Sequence, residues 1–426
     1  MTLSQIHAIF LSCDAVATDT RKITSNCFFV ALKGENFDAN SFAKEALQNG
    51  AAYALIDNED YYQDDRTILT EDSLATLQEL AKYHRKFLNL PIIAITGSNG
   101  KTTTKETVAA ILSKKFKIKA TIGNLNNHIG VPLTLLSFNE KTELGIVEMG
   151  ANHQKEIEFL CSLATPNFGY ITNFGLAHLE GFGGYEGVIK GKSEMYTYLS
   201  TANKMAFVNF DDPIQKEKTS QIQRYSFSEN DHKADLLFSE VQAKPFVQLI
   251  ANGLVIQSQL LGLYNAENIK AAIAIGSYFE VNSRDIKDAV EHYVPTNNRS
   301  QMISIKDHSI ILDAYNANPS SMANAILNFR QLEGENKIAV LGDMFELGNE
   351  GSKEHKLLIE SLINSGIEVY FVGKHFFKEK ITNPKFKFYE TFETFAESFR
   401  HQKIEKSIML IKGSRGMALE RTLELL

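Results

Sequence analysis

Apolar positions in this 426-residue chain fall into short runs, separated by stretches in which apolar residues recur at helical spacing. In the first eighty or so residues CFFVALK (27–33) and AAYALID (51–57) read as strands. NSFAKEALQNG (40–50) has helical spacing and ends on Asn49-Gly50, a C-terminal stop. A longer helix is predicted over about 71–88, running into Leu90-Pro91. The middle of the chain carries PIIAIT (91–96), KIKATI (117–122), LGIVEM (144–149), FGYIT (168–172) and MAFVNF (205–210), most of them separated by helical stretches. Strands alternating with helices predict a parallel sheet covered on both faces. Between 236 and 261 the pattern changes: FVQLI, Asn252-Gly253 and LVIQSQL predict an antiparallel hairpin with a two-residue turn, and a helix follows over about 265–280. After the polar break Pro295-Thr296-Asn297-Asn298, alternation resumes with SIILDAY, KIAVLGDM, GIEVYFVG and SIMLIKGS. The two breaks predict three α/β domains, 1–89, 90–297 and 298–426.

Composition narrows the class. With 44% hydrophobic and 22% charged residues the chain is globular, not disordered. Lys plus Arg is 44 against 51 Asp plus Glu, a net charge of −7, which argues against nucleic acid as a partner because backbone binding needs a concentrated basic surface. No apolar run approaches the roughly 18 residues of a membrane span. The N-terminus lacks a basic start and soon meets Asp14 and Asp19, so it does not read as a secretory signal, and a cytoplasmic location is expected. Cys13, Cys27 and Cys161 form no CxxC pair, so neither a disulfide framework nor a thiolate zinc site is indicated. No apolar surface stripe marks an interface, and a monomer is expected.

The strongest chemical signal is Thr96-Gly97-Ser98-Asn99-Gly100-Lys101-Thr102-Thr103-Thr104, between a predicted strand and a predicted helix. Glycines let successive N–H groups turn toward one anion, and the helix N-terminus adds favourable partial charge. Lys101 would neutralise phosphate oxygens, and the Thr102 hydroxyl is placed for Mg²⁺. The loop is a variant, T-G-x-x-G-K-T, with Ile95 where the commoner pattern has glycine. Ligands sit beyond the carboxyl ends of strands in open α/β sheets. That rule singles out Glu148 after GIVEMG's strand, Thr172-Asn173 after FGYIT, and His178. In the helix over about 186–199, Val188, Met195, Tyr196 and Leu199 form one apolar stripe, and Lys192 falls in its middle while Lys190 lies opposite. A lysine there must snorkel, pair with a carboxylate, or be modified.

Taken together, TGSNGKTTTKE (96–106), GNLNNHIGVPLTLL (123–136), VEMGANHQKEIEFL (147–160), TNFGLAHLEGFG (172–183), GLYNAENIKAA (262–272), LDAYNANPSSM (312–322), LGDMFELG (341–348) and KGSRG (412–416) resemble the Mur ligase family of peptidoglycan precursor synthesis. The resemblance spans nearly the whole chain. It implies a central phosphate-loop ATPase domain with a parallel sheet, a small N-terminal α/β domain for the UDP-sugar and a C-terminal Rossmann-like α/β domain. It implies ATP as substrate, Mg²⁺, and a CO₂-derived carbamate on Lys192. Lys101, Lys192 and His178 would be catalytic. Thr96, Gly97, Asn99, Gly100, Lys101, Thr102, Thr103, Asn268, Arg299 and Asp313 would hold the nucleotide. Thr102, Glu148 and Lys192 would bind Mg²⁺, with His178 serving a second ion. Thr20, Arg21, Asn127, His128, Asn173, Asn316 and Asn318 would face the other substrates. Two positions depart from the family pattern: Tyr264 stands where relatives often carry His, and the lysine segment reads KGKSE where KAKGE is usual.

HLEGFG, NANPSSM and GDMFELG point within the family to the ligase that joins D-alanyl-D-alanine to a UDP-N-acetylmuramoyl-tripeptide through an acyl phosphate. The alternatives are a ligase adding the third stem residue, a folylpolyglutamate synthetase, and a nucleotide-gated scaffold that makes no amide.

Overall fold

The computed structural model describes residues 1–426 except Glu335 and Lys403. Its strands form three larger sheets in succession along the chain, plus a two-stranded ribbon of Lys33–Gly34 with Phe37–Asp38. The first sheet is parallel, ordered Ala15–Ala17, Cys27–Val30, Ala51–Ile56, Thr67–Leu69. Cys27–Val30 is buried along its whole length, as a strand covered on both faces must be. It stops short of the expected 33 because Lys33 and Gly34 turn out to pair with Phe37 and Asp38. The helix expected over 40–50 opens as a tight 3₁₀ turn, Ala39–Phe42, before Ala43–Gln48. The Asp38 carboxylate accepts from both the backbone and the side-chain amide of Asn40, and this winds the entry tighter than an α-turn.

Helix Ser73–Leu88 joins this sheet to the next. Asp72 caps it by accepting from Ala75 N, and Asn89, left-handed at φ +46°, ends it just before Pro91. Its Arg85 is buried against the central unit. Nε donates to Ala164 O at 2.9 Å, and Nη2 donates to Thr165 O at 3.2 Å and Asn167 Oδ1 at 3.1 Å.

The central sheet has nine strands. Ile118–Ala120, Leu144–Glu148, Ile92–Thr96, Phe168–Ile171, Met205–Asn209, Gln223–Ser228 and Leu236–Ala243 run parallel, and Phe246–Ala251 and Leu254–Leu261 follow antiparallel. Asn252 (φ +50°) and Gly253 (φ +73°) form the two-residue turn, with Ala251 opposite Leu254. The hairpin is thus one end of a longer ribbon that extends the central sheet, a continuity the turn signal does not carry. Helices Lys101–Leu112 and Tyr264–Tyr278 lie side by side, closely enough that a Cβ on Gly276 would fall 2.4 Å from Ile111 Cγ2. The last sheet is ordered Gln301–Ile305, His308–Asp313, Ile408–Lys412, Lys337–Gly342, Glu368–Val372, Phe386–Tyr389, parallel except for its first, edge strand. Among the described residues no helix is long and apolar enough to cross a membrane.

Arg85→Ala would take this donor from the Ala164 and Thr165 carbonyls at the seam between the first two sheets, while Asn167 Oδ1 keeps the Ile92 N–H. A buried unsatisfied polar group costs about 1–3 kcal/mol, so the first thermal transition should fall by roughly 2–8 °C. An unchanged melting profile would show that Arg85 does not hold this seam.

Candidate active site

Strand register assembles the site. Ile95 lies opposite Glu148, and Thr96 opposite Ile171, so the phosphate loop, Glu148 and Thr172-Asn173 leave the sheet along one edge. The loop needs glycine twice. Gly97 has φ +138°, and a Cβ there would sit 2.0 Å from Thr172 Oγ1. Gly100 has φ +80°, and its Cβ would meet Asn268 Oδ1 at 2.2 Å. Thr96 Oγ1 donates to Met149 O at 2.7 Å, while Thr172 Oγ1 donates to Asn99 O at 2.5 Å and Asn99 N to Asn173 Oδ1 at 3.1 Å. Asn173 therefore braces the loop. Gly100 caps helix Lys101–Leu112 without a side chain, which leaves first-turn N–H groups for an anion.

Two lysine amines share this region. Lys101 Nζ donates to Gly97 O at 2.8 Å and Ser98 O at 3.2 Å. The residue keeps some exposed surface, yet burial of its ammonium lowers its pKa to about 8 against the opposing pull of Glu148. Lys192, on helix Tyr185–Thr201, is 1% exposed. Its Nζ donates to Ala151 O at 3.0 Å and lies 4.9 Å from the centre of the Phe182 ring. Burial first, and the Lys101 charge second, push its pKa well below the usual lysine range. It does not snorkel, and among the described residues no carboxylate lies within ion-pair distance of it. The nearby Glu194 instead accepts from the backbone of Lys155 and Glu158. Lys190 is on the exposed face.

Glu148 is 1% exposed. Thr102 Oγ1 donates to its Oε2 at 3.0 Å, Asn126 Nδ2 donates to its Oε1 at 2.8 Å, and Lys105 Nζ lies 3.7 Å from Oε2. A hydroxyl and a carboxylate meeting beside a phosphate loop are the hard oxygen donors that Mg²⁺ prefers, and it completes its shell with water and phosphate. Among the described residues no group of three or more His, Cys, Asp or Glu side chains is gathered for a metal. His178, left-handed at φ +53°, turns its Nδ1 to the Glu346 carboxylate and so bridges to the last sheet's side of the site. That imidazole holds Glu346 below the usual carboxylate range.

These groups border a cleft of about 1210 Å³ between the central and last sheets. Asn99, Gly100, Lys101, Thr103, Asn127, His128, Glu148, Asn173, His178, Asn268, Arg299, Asp313, Asn316 and Asn318 line it, whereas Thr96, Gly97, Thr102 and Lys192 lie behind its wall. Twelve of the lining residues are asparagines. Several are spent on local order. Asn127 Oδ1 accepts from Ile129 N and Gly130 N at a helix start, and the backbone oxygen of His128 accepts from Gln78 Nε2. Asn268 Oδ1 accepts from Thr104 Oγ1. Asn318 caps helix Pro319–Gln331 and donates to Asn99 Oδ1 at 2.8 Å, while Asn99 Nδ2 donates to Ser320 Oγ at 3.0 Å. The phosphate loop is thereby tied across the cleft. Asp313 accepts from Lys412 Nζ at 2.6 Å, and Lys412 also donates to Asn316 O at 3.2 Å. The Arg299 guanidinium stacks on Tyr315 at 3.7 Å. Tyr264 Oη shares a hydrogen bond with Ser300 Oγ at 2.7 Å. Thr20 and Arg21 do not line the cleft; Arg21 is turned back onto Asp19, with Nη2 at 2.7 Å. Asn126, Tyr315, Ser320, Glu346 and Lys412 join the site although sequence reasoning assigned them nothing. Asn126, Tyr315, Ser320, Glu346 and Lys412 all lie inside the family-like strings, which was the available signal.

Comparison with known proteins shows the family. Residues 95–276 match the Mur ligase middle domain, and residues 298–415 match the Mur ligase, glutamate ligase domain. The UDP-N-acetylmuramoyl-tripeptide--D-alanyl-D-alanine ligase of Bacillus subtilis is 35% identical, over 95% of this chain and 91% of that protein. The enzyme of the same name from Escherichia coli is 33% identical over 100% of this chain and 98% of its own. The crystal structure of MurF from Acinetobacter baumannii superposes with a TM-score of 0.85 at 30% identity, covering 99% of this chain and 97% of that one. The chain belongs to the Mur ligase family.

The environment of Lys192 has a stability consequence. An amine whose folded pKa lies below its unfolded value near 10.4 binds fewer protons folded than unfolded between the two. Stability then rises with pH through that window and falls as pH drops toward the folded pKa. Lys192→Met should therefore melt higher than the parent at pH 7, with the gain shrinking toward pH 10. A lower melting temperature for the variant at pH 7 would mean that burial does not disfavour the charged form of Lys192.

Proposed function

We propose that this chain is an ATP-dependent, ADP-forming ligase that joins D-alanyl-D-alanine to a UDP-N-acetylmuramoyl-tripeptide in peptidoglycan precursor synthesis. The observation that carries this reading is a cleft lined by the phosphate loop and Glu148, with Thr102 bonded to Glu148 and the buried Lys192 both behind its wall, in a chain similar over nearly its whole length to ligases of that name. One of the similar structures, MurF ligase from Thermotoga maritima, is a complex with ADP.

In this proposal 1–89 receives the UDP-sugar, with Thr20 and Arg21 at its nucleotide end, 90–297 holds ATP, and 298–426 supplies the dipeptide site and part of the nucleotide site. The loop backbone from Gly97 to Thr103 and Lys101 take the phosphates, Asn268, Arg299 and Asp313 flank the nucleotide, and Asn127, His128, Asn173, Asn316 and Asn318 face the peptide ends. Thr102 and Glu148 would hold Mg²⁺, which would supply positive charge beside the phosphates. Lys192, whose burial favours the neutral amine, would add CO₂ and release a proton to become an anionic carbamate beside that site. His178, with Nδ1 engaged by Glu346, has Nε2 to offer a second ion.

The tripeptide carboxylate attacks the γ-phosphorus, ADP leaves, and an acyl phosphate forms. Lys101 and the loop N–H groups stabilise the charge as it develops, so the protein's contribution is positioning and electrostatics. The D-alanyl-D-alanine amine then attacks the acyl carbon and inorganic phosphate departs. Closure of the cleft, through contacts such as Asn99–Asn318, shields the acyl phosphate from water. One chain lines the cleft, so a monomer suffices, and such a reaction on soluble nucleotide-linked substrates belongs in the cytoplasm.

Phosphate release should require ATP, Mg²⁺, the UDP-tripeptide and the dipeptide together, and release that ignores the dipeptide would contradict the assignment. Lys101→Ala should lower turnover about 10²–10³-fold, the scale for losing one transition-state donor, and near-normal turnover would remove its phosphate role. Lys192→Ala should lose activity and regain part of it with a short carboxylic acid; full activity without the acid would end the carbamate reading.

A further inference from the structure

Glu106 lies on the second turn of helix Lys101–Leu112, directly behind the phosphate loop. Both oxygens of its carboxylate are engaged far away in sequence. Tyr293 Oη donates to Oε2 at 2.6 Å, and Asn297 Nδ2 lies 3.0 Å from each oxygen. Burial and the neighbouring carboxylate push the Tyr293 phenol up, so it remains a donor at neutral pH. Tyr293 and Asn297 belong to the connector between helix Ser283–His292 and edge strand Gln301–Ile305, the segment that leads from the central sheet to the last one.

The same connector is pinned again at its far end. Ser300 N donates to Asp313 Oδ1 at 3.1 Å, and Tyr264 Oη bonds Ser300 Oγ. Between the two anchors, Asn298 (φ +55°) and Ser300 (φ +49°) both take the left-handed conformation, which asparagine accepts readily and serine only when its surroundings impose it. Arg299 stands between these two residues. It lines the cleft, lowers the pKa of Lys101 by its charge, and carries a buried Nε without a hydrogen-bond partner. A buried guanidinium N–H left unpaired in a cleft is a donor for an arriving anion.

We propose that Glu106 is a positioning residue: through Tyr293 and Asn297 it holds the strained connector so that Arg299 faces the phosphate end of ATP. This rests on the reading of Arg299 as a nucleotide-facing residue. The helix whose N-terminus meets the phosphates then also holds the strap that carries the arginine, and phosphate contacts from two parts of the chain are set by one rigid element.

A double-mutant cycle tests it, with kcat and KM for ATP measured by phosphate release and folding followed by thermal melting. Arg299→Ala should lower kcat/KM for ATP about 10-fold or more, and Glu106→Ala should lower it by a similar factor. The double variant should be no worse than Arg299→Ala alone, because coupled residues are not additive. Glu106→Gln, which keeps an acceptor, should recover part of the loss. An unimpaired Arg299→Ala would defeat the nucleotide-facing reading and the positioning role with it. An impaired Arg299→Ala with a Glu106→Ala effect that multiplies on top of it would overturn the positioning role alone, as would wild-type kinetics for Glu106→Ala. Should Glu106→Ala fail to fold, Tyr293→Phe, which removes one hydroxyl, enters the same cycle with the same criteria.

Discussion

The site depends on burying ionisable groups with few opposite charges beside them. Lys101, Lys192 and Glu148 are gathered at one strand edge without pairing to one another, and among the described residues the one opposite charge at ion-pair distance is Lys105 Nζ, 3.7 Å from Glu148 Oε2. Each is held by neutral partners: Lys101 by two loop carbonyls, Lys192 by Ala151 O, and Glu148 mainly by a hydroxyl and an amide. Direct ion pairs would be strong in so dry a place and would lock the groups to one another. Neutral partners satisfy the polar atoms and surrender them cheaply to a phosphate or a cation.

The rest of the fold sets that edge against a second surface. The last sheet contributes Asp313, Asn318, Glu346 and Lys412, and it is brought into register by contacts that use groups of the site itself. Asn99 of the phosphate loop binds Asn318 and Ser320, and His178 meets Glu346. Gly348, left-handed at φ +54°, lies against Glu180 close enough that a Cβ would come within 3.1 Å of Glu180 Cβ. The contacts that join the two sides of the cleft therefore include a residue of the phosphate loop itself, next to Gly100.

Local signals made most of the scaffold legible in the sequence. Fully apolar five-residue runs became central strands, the Asn252-Gly253 pair became the predicted turn, and the apolar stripe around Lys192 became a buried helix face with that lysine inside it. The loop was legible because glycine, lysine and threonine are required there by backbone geometry and charge. What stayed hidden is what joins distant segments. The Asn99–Asn318 and Tyr293–Glu106 contacts span 219 and 187 positions, and no periodicity encodes them. The 3₁₀ entry at Ala39–Phe42 depends on Asp38 folding back onto Asn40, a side-chain choice that apolar spacing does not register. Thr20 and Arg21, placed by resemblance alone, stand apart from the cleft in the structure.

The abundance of asparagine along the cleft has its own consequence. A carboxamide presents an acceptor and a donor on one planar group, and a half-turn about its terminal bond exchanges them. Asn99, Asn268 and Asn318 are held at both ends of the amide and keep one polarity. Where a carboxamide of the wall is not so held, it can turn either a donor or an acceptor to whatever enters, with no proton gained or lost.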